Sequence, residues 1–148
     1  MITLIVANAS TLTDWAWACA REDVAAAVRV LRGQKMADIH AFYDEIGAAL
    51  QFPYYFGENL NALDECLRDL EWLPADRYVI VVRDAAQVLS APGAADAFDA
   101  WLDILSGAQD AWGGHRFSVI MHATPDDEAR LRSRLAAAEA SYDERKIA

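Results

Sequence analysis

A chain of 148 residues with 23 acidic and 13 basic side chains has a formal net charge of −10. That balance argues against non-specific nucleic-acid binding, which needs clustered Lys and Arg on phosphates, and favours solubility or a basic partner. A composition 55% hydrophobic and 24% charged is globular and long enough to bury a core without staples.

The elements follow in chain order. Ile2 to Val6 is a β-rich run and predicts a strand. Residues 10–27 carry two signals: the alanines favour helix, while Trp15 and Trp17 alternate as in a strand. Residues 27–31, AVRVL, alternate like a half-buried strand that Gly33 ends. An amphipathic helix is predicted over 38–50, with Ile39, Phe42, Ile46 and Leu50 at helical spacing, Asp38 at the N-cap and Pro53 as the stop. The aromatic loop 52-FPYYFG-57 comes next. A helix from Leu60 to Leu70 follows, capped by Asn59 and striped by Leu60, Leu63, Leu67 and Leu70. The run 78-YVIVV-82 predicts a central strand covered on both faces. Residues 93–112 read as a helix with Phe98, Trp101, Leu102 and Leu105 inward and Gly113-Gly114 at its end. Phe117 to Met121 is the next strand. Thr124-Pro125-Asp126-Asp127-Glu128 starts a last helix expected to reach Tyr142, after which DERKIA frays. Strands separated by helices imply an α/β fold with a parallel or mostly parallel sheet, as one domain over 1–148.

The search for chemistry returns little. His40, His115 and His122 form no ligand-spaced pair and read as surface or edge residues. Two isolated cysteines, Cys19 and Cys66, make no disulfide framework and suit a reducing cytoplasm. Cys66 sits beside the leucine stripe and reads as a small buried thiol. No G-x-G-x-x-G, phosphate-loop or nucleophile-elbow motif occurs. MITLIVANASTLTDW does not read as a signal peptide, and no apolar stretch reaches the roughly 18 residues of a membrane span. With no organised nucleophile, metal site or cofactor loop, the chain reads as a binding protein; no catalytic residue, cofactor or metal is expected.

One constellation stands out. On the helix after Asn59, Asn61, Glu65 and Arg68 fall on one face opposite the leucines, with Asp64 at its edge and set to pair with Arg68 at i,i+4. Tyr54-Tyr55-Phe56 lies one turn away. Tyrosines beside carboxylates offer apolar area with polar handles and a charge that steers a basic partner.

The stretch 52-FPYYFGENLNALDECL-67 resembles the barstar family, the small intracellular inhibitors of secreted bacterial ribonucleases. Pro53, Tyr55, Gly57, Glu58, Asn59, Leu60, Ala62, Leu63, Cys66 and Leu67 match its pattern without a gap. The likeness extends more loosely over residues 26–122 and leaves both ends of the chain outside it. It implies a three-stranded, mostly parallel sheet flanked by helices, to which this chain adds an N-terminal extension with an extra strand and a C-terminal helix. It also implies a cytoplasmic protein that plugs the active site of a guanyl-specific-type ribonuclease with an acidic helix and the adjoining loop. The alternative is the same module retargeted to a non-nuclease partner.

Carried across by residue, the resemblance places Tyr55, Gly57 and Asn59 at loop interface positions. Glu65 stands where the family has its phosphate-mimicking acid, Asn61 where it has a second acid, and Asp64 where it has a tryptophan. Arg68 completes the face, Trp72 offers a nearby aromatic, and Asp103 falls at a further acidic position on the next long helix, for which counting back from Gly114 gives Gln109 instead.

Overall fold

The computed structural model describes residues 1–147. In chain order the elements are β1 (Ile2–Val6), α1 (Ala9–Glu22), β2 (Ala26–Arg32), α2 (Ile39–Ala49), α3 (Leu60–Asp69), β3 (Arg77–Arg83), α4 (Ala95–Trp112), β4 (Phe117–Ala123), α5 (Glu128–Ala137) and β5 (Tyr142–Glu144). The strands form one sheet in the order β2-β3-β4-β1-β5, and every pairing is parallel. The three-strand expectation is therefore corrected to five. β2, β3 and β4 are the expected trio, and the two ends of the chain supply β1 and β5. β1 is interior: Ile2 lies opposite Val119 of β4 on one side and Tyr142 of β5 on the other.

The ambiguous residues 10–27 resolve as helix. Leu12 and Ala16, one turn apart, are the buried positions of α1, and the Asn8 side chain caps it by accepting from the Thr11 N–H at 2.8 Å. Two residues apart on a helix is about 200°, so Trp15 and Trp17 diverge to opposite flanks rather than sharing a strand face. Asp38 and Asn59 cap α2 and α3 as read, each accepting at 2.8 Å from the amide three residues on.

The last helix differs from its prediction. The Asp127 N–H donates to the Thr124 carbonyl, so residues 124–127 close a turn and α5 begins four residues late. The tail does not fray: Tyr142–Glu144 pair with β1. Arg132 ties α5 to that strand through the Glu128 carboxylate, the Tyr142 hydroxyl and the Glu144 carboxylate. Arg134 reaches the other way. Its guanidinium donates to the carbonyls of Ala86 and Leu89 at 3.0 and 3.1 Å and lies 3.7 Å from the Phe98 ring centroid. It thereby satisfies the carbonyls of a turn in which Leu89 takes a left-handed φ of 50°.

The two faces of the sheet are unequal. Leu4, Leu31, Ile80, Val82, Val119 and Met121 join residues of α2, α3, α4 and α5 in the main core. On the other face Ile5, Val81 and Ile120 meet Leu12 of α1, with Trp15 of α1 and Ile147 packed against them. β3 is thus interior, next to the edge strand, and the face it turns to α1 is only partly covered, where a central strand covered on both faces was expected.

His122 corrects another expectation, because it is fully buried at the end of β4. Its Nδ1 accepts the Asp84 N–H at 3.1 Å, and its Nε2 lies 2.7 Å from the Ala7 carbonyl. A carbonyl can only accept, so the proton sits on Nε2 and the ring is neutral. The ring thereby bridges the ends of β1, β3 and β4. Burial pushes the His122 imidazole below its ordinary pKa and Arg83 adds to this, against the opposing pull of the Ala7 bond and of Asp84. The unfolded chain then takes up the proton first on acidification. Stability should be full above about pH 6.5 and fall below it, by at most about 1.4 kcal/mol per pH unit from this group. Urea unfolding between pH 7.5 and 5 measures the slope, and His122→Gln should flatten it. An unchanged slope in the variant would remove His122 as its source.

Candidate functional site

The aromatic loop divides by side. Phe52 and Phe56 pack edge to face at 4.8 Å, Phe56 meets Tyr43 at 5.9 Å, and Trp72 closes on Phe52 at 5.9 Å. The Trp72 indole N–H donates to the Leu50 carbonyl at 3.0 Å. Trp72 is therefore a structural prop under the loop, with its polar atom spent inside the fold. Tyr54 and Tyr55 point the other way, 100% and 63% exposed.

The turn from loop to helix is held by Asn59. Its Oδ1 accepts from the Ala62 N–H, and its Nδ2 donates to the Gly57 carbonyl at 3.2 Å. Both ends of that side chain are used locally, so Asn59 shapes the surface by fixing its backbone. A Cβ on Gly57 would stand 3.1 Å from Asn59 Nδ2 and crowd this turn. Between them Glu58 takes a left-handed φ of 50°, a conformation that costs an L-residue about 1–2 kcal/mol.

On α3 the predicted face is present but split. Leu63, Cys66 and Leu67 are buried, and Asn61, Glu65 and Arg68 are exposed. Arg68 donates through Nε to Asp64 at 3.0 Å, as the i,i+4 spacing anticipates. This pair leans toward α4, where a Cβ on Gly107 would stand 2.5 Å from an Arg68 guanidinium nitrogen. Glu65 lies close enough to Cys66 to act on its thiol. Two acids absent from the sequence reading, Asp69 and Glu71, lie beside Tyr55. Their carboxylates, after the protein packed beside it, hold the Tyr55 phenol above its ordinary pKa. Burial first, then Asp69 and Glu65, push the Cys66 thiol up, so it stays a protonated packing group. Asp69 and Glu71 fall past the quoted motif, and their proximity to Tyr55 comes from the helix ending at Leu70, which no spacing rule anticipates.

Asp103 is exposed on α4 but lines a hollow with Met1, Ile2 and Gln109. Gln109 itself is engaged with the main chain and amino group of Met1, each at 3.0 Å. Tyr55, Gly57, Asn59, Asn61, Asp64, Glu65 and Arg68 thus follow one another on a single stretch of loop and helix, Trp72 packs on Phe52 of that loop, and Asp103 lies on α4 one turn before Gly107, the position against Arg68.

Five hollows of about 290 to 530 Å³ are lined by no residue of α3. Among the described residues no group of three His, Cys, Asp or Glu could hold a metal ion, and no helix is long and apolar enough to cross a membrane. Open α/β sheets place ligands beyond the strand ends where connections part to opposite faces. Here that point lies between β1 and β4, and it is filled by the His122 ring, with the α1 N-terminus already taken by Asn8.

A family model described as Barstar (barnase inhibitor) matches residues 26–124, the span from β2 through β4. No curated protein matches the chain. Among solved structures, the Aeropyrum pernix ORC2 protein (ADPNP-ADP complexes) is similar with a TM-score of 0.65 at 14% identity, over 99% of this chain and 41% of that one. Drosophila ORC bound to DNA gives a TM-score of 0.58 at 12% identity, over 99% of this chain and 26% of that one. The chain therefore spans less than half the length of these neighbours, and the likeness is one of fold. It takes in β1 and β5, which the family match omits.

Gly107 carries a test. Glycine inside a helix costs about 0.5–1 kcal/mol relative to alanine, and an exposed ion pair contributes about as little. Gly107→Ala should raise the midpoint of thermal unfolding by about 2–3 °C while pushing Arg68 off α4. A lowered midpoint would show that the arginine's seat outweighs helix propensity.

Proposed function

The chain belongs to the barstar family, and on that premise we propose that it inhibits a basic, guanyl-specific-type ribonuclease by laying α3 and the preceding loop over the nuclease active site. One observation carries the reading. Within the matched residues, Glu65, Asp69 and Glu71 face solvent, Asp69 and Glu71 beside Tyr55, and among the described residues no ion pair occupies them. Such carboxylates can take the positions of RNA phosphates among the catalytic cations, while Tyr54 and Tyr55 supply rigid apolar area. The net charge of −10 adds long-range attraction to a basic enzyme. The proposed inhibitor performs no chemistry of its own, needs no cofactor and acts in the cytoplasm.

The nucleotides and DNA of the structural neighbours have no counterpart in this proposal. A phosphate cradle is not compatible with a β1–α1 connection two residues long whose helix start is capped by Asn8. The overall acidity opposes a DNA backbone.

A second reading, a module retargeted to a non-nuclease protein, is favoured by Asp64. Where the family has a tryptophan this chain has a carboxylate closed onto Arg68. That exchanges an apolar anchor for a fixed charge pair and alters what surface fits the helix. The seat of Arg68 against Gly107 keeps a cation on an otherwise acidic face, so a matching partner presents an acceptor there.

RNA cleavage by a panel of guanyl-specific ribonucleases, with and without the purified chain, tests the first reading. At least one enzyme should be inhibited, with association slowing as salt is added. Glu65→Ala should then cost about 2–5 kcal/mol of affinity, the range for truncating a charge desolvated in an interface. A panel left wholly active, with a non-nuclease protein recovered by co-purification, would support the second reading instead.

A further inference from the structure

Residues 142–147 cross the free edge of β1 as a strap. Tyr142–Glu144 pair with Ile2–Leu4, and the Arg145 N–H donates to the Leu4 carbonyl at 2.9 Å. Tyr142 packs against the main core and Ile147 against the cluster of Ile5 and Leu12, so the strap grips both faces of the sheet. Its other ties are charged. Arg132 binds Glu144 and the Tyr142 hydroxyl, and the Arg145 guanidinium lies 5.5 Å from the Trp15 ring centroid. All of these contacts join the strap to the body of the fold, and only residues 138–141 connect it to α5.

At that connection local sequence and structure disagree. The run 135-LAAAEA-140 consists of strong helix formers, yet α5 stops at Ala137. The stop is a full helix-ending turn. The Glu139 N–H donates to the Ala136 carbonyl and the Ala140 N–H to the Leu135 carbonyl, each at 3.0 Å, with Glu139 at a left-handed φ of 54°. Such turns favour glycine at that position, because a Cβ there crowds the backbone. Residues 138–141, AEAS, contain no glycine, asparagine or proline to set the turn. What holds it is the pairing of the strap with β1.

Helix continued through Ala140 would relieve Glu139, advance the chain by about 4.5 Å and carry the strap off its own β1. Each copy then has an open β1 edge and a released strap. The segment that complements the edge is the strap of a second copy, which restores every bond listed above. Exchange is opposed by the entropy of association and favoured by two relieved hinges. Short hinges under strain are those that invite it.

We propose that the chain forms a reciprocal dimer by exchanging residues 142–147, with α5 running on through the hinge. Each β1 edge is covered by the other copy's strap, and Arg132 of one copy meets Glu144 of the other. None of the strap's hydrogen bonds or ion pairs named here involves α3, so this surface is independent of the inhibitor reading.

Native mass spectrometry of the full chain at rising concentration reads the dimer. The wild-type chain should dimerise, and Glu139→Gly, which relaxes the turn and weakens the continued helix, should raise the dimer Kd at least about tenfold. Charge reversal then separates exchange from side-by-side association. Arg132→Glu and Glu144→Arg each set like charges together within one chain. Mixed, the two variants regain opposite charges at both 132–144 contacts only if straps are exchanged, so the heterodimer should outnumber either homodimer severalfold. A wild-type chain that stays monomeric throughout, a dimer indifferent to Glu139→Gly, or a statistical mixture of the two variants would each overturn the proposal.

Discussion

The structure depends on where β1 goes. Its five residues enter the sheet between β4 and β5 and are hydrogen-bonded on both sides. Their far end is pinned by a buried imidazole that also holds β3 and β4. An interior strand in a parallel sheet needs both faces covered, and the chain provides this asymmetrically. Four helices cover one face, and α1 with Ile147 the other. From that asymmetry follow a rigid side that displays α3 and a thinly covered side with a hollow beside β2. The family match, spanning residues 26–124, takes in three of the four helices on the first face and leaves out α1 and α5.

On the rigid side, display is achieved by spending polar groups internally. Asn59 uses both ends of its amide to set the loop. Trp72 donates inward under Phe52, and Leu70 ends α3 in a left-handed turn, with φ of 51°, that is itself buried. What remains outside is two tyrosines and a run of carboxylates. A surface of this kind resists rearrangement on binding, so little ordering entropy opposes association. The Asp64–Arg68 pair marks where this chain departs from its family's pattern, and Gly107 is the vacancy that lets the departure fit against α4.

Much of this was legible in the residues. Helical spacing and caps located α2, α3 and α4, because local periodicity and side-chain hydrogen bonds act within a few residues. The ungapped match around Tyr55 and Glu65 located the displayed helix. Long-range pairing was hidden. Tyr142–Glu144 looks like a fraying tail because only β1, some 140 residues earlier, makes it a strand. His122 looked like an edge residue because its two partners, Ala7 and Asp84, come from distant strand ends. Asp69 and Glu71 escaped notice because the end of a helix, not a motif, brings them to Tyr55.

The central claim is occlusion of an active site, and competition tests it directly. Calorimetric titration of the chain into a ribonuclease it inhibits, repeated with the active site increasingly filled by a guanine mononucleotide, compares the two ligands for one site. Occlusion predicts that the apparent Kd rises in inverse proportion to the fraction of active site the nucleotide leaves free, since the two cannot be bound together. An apparent Kd indifferent to the nucleotide would place the chain elsewhere on the enzyme and contradict the account.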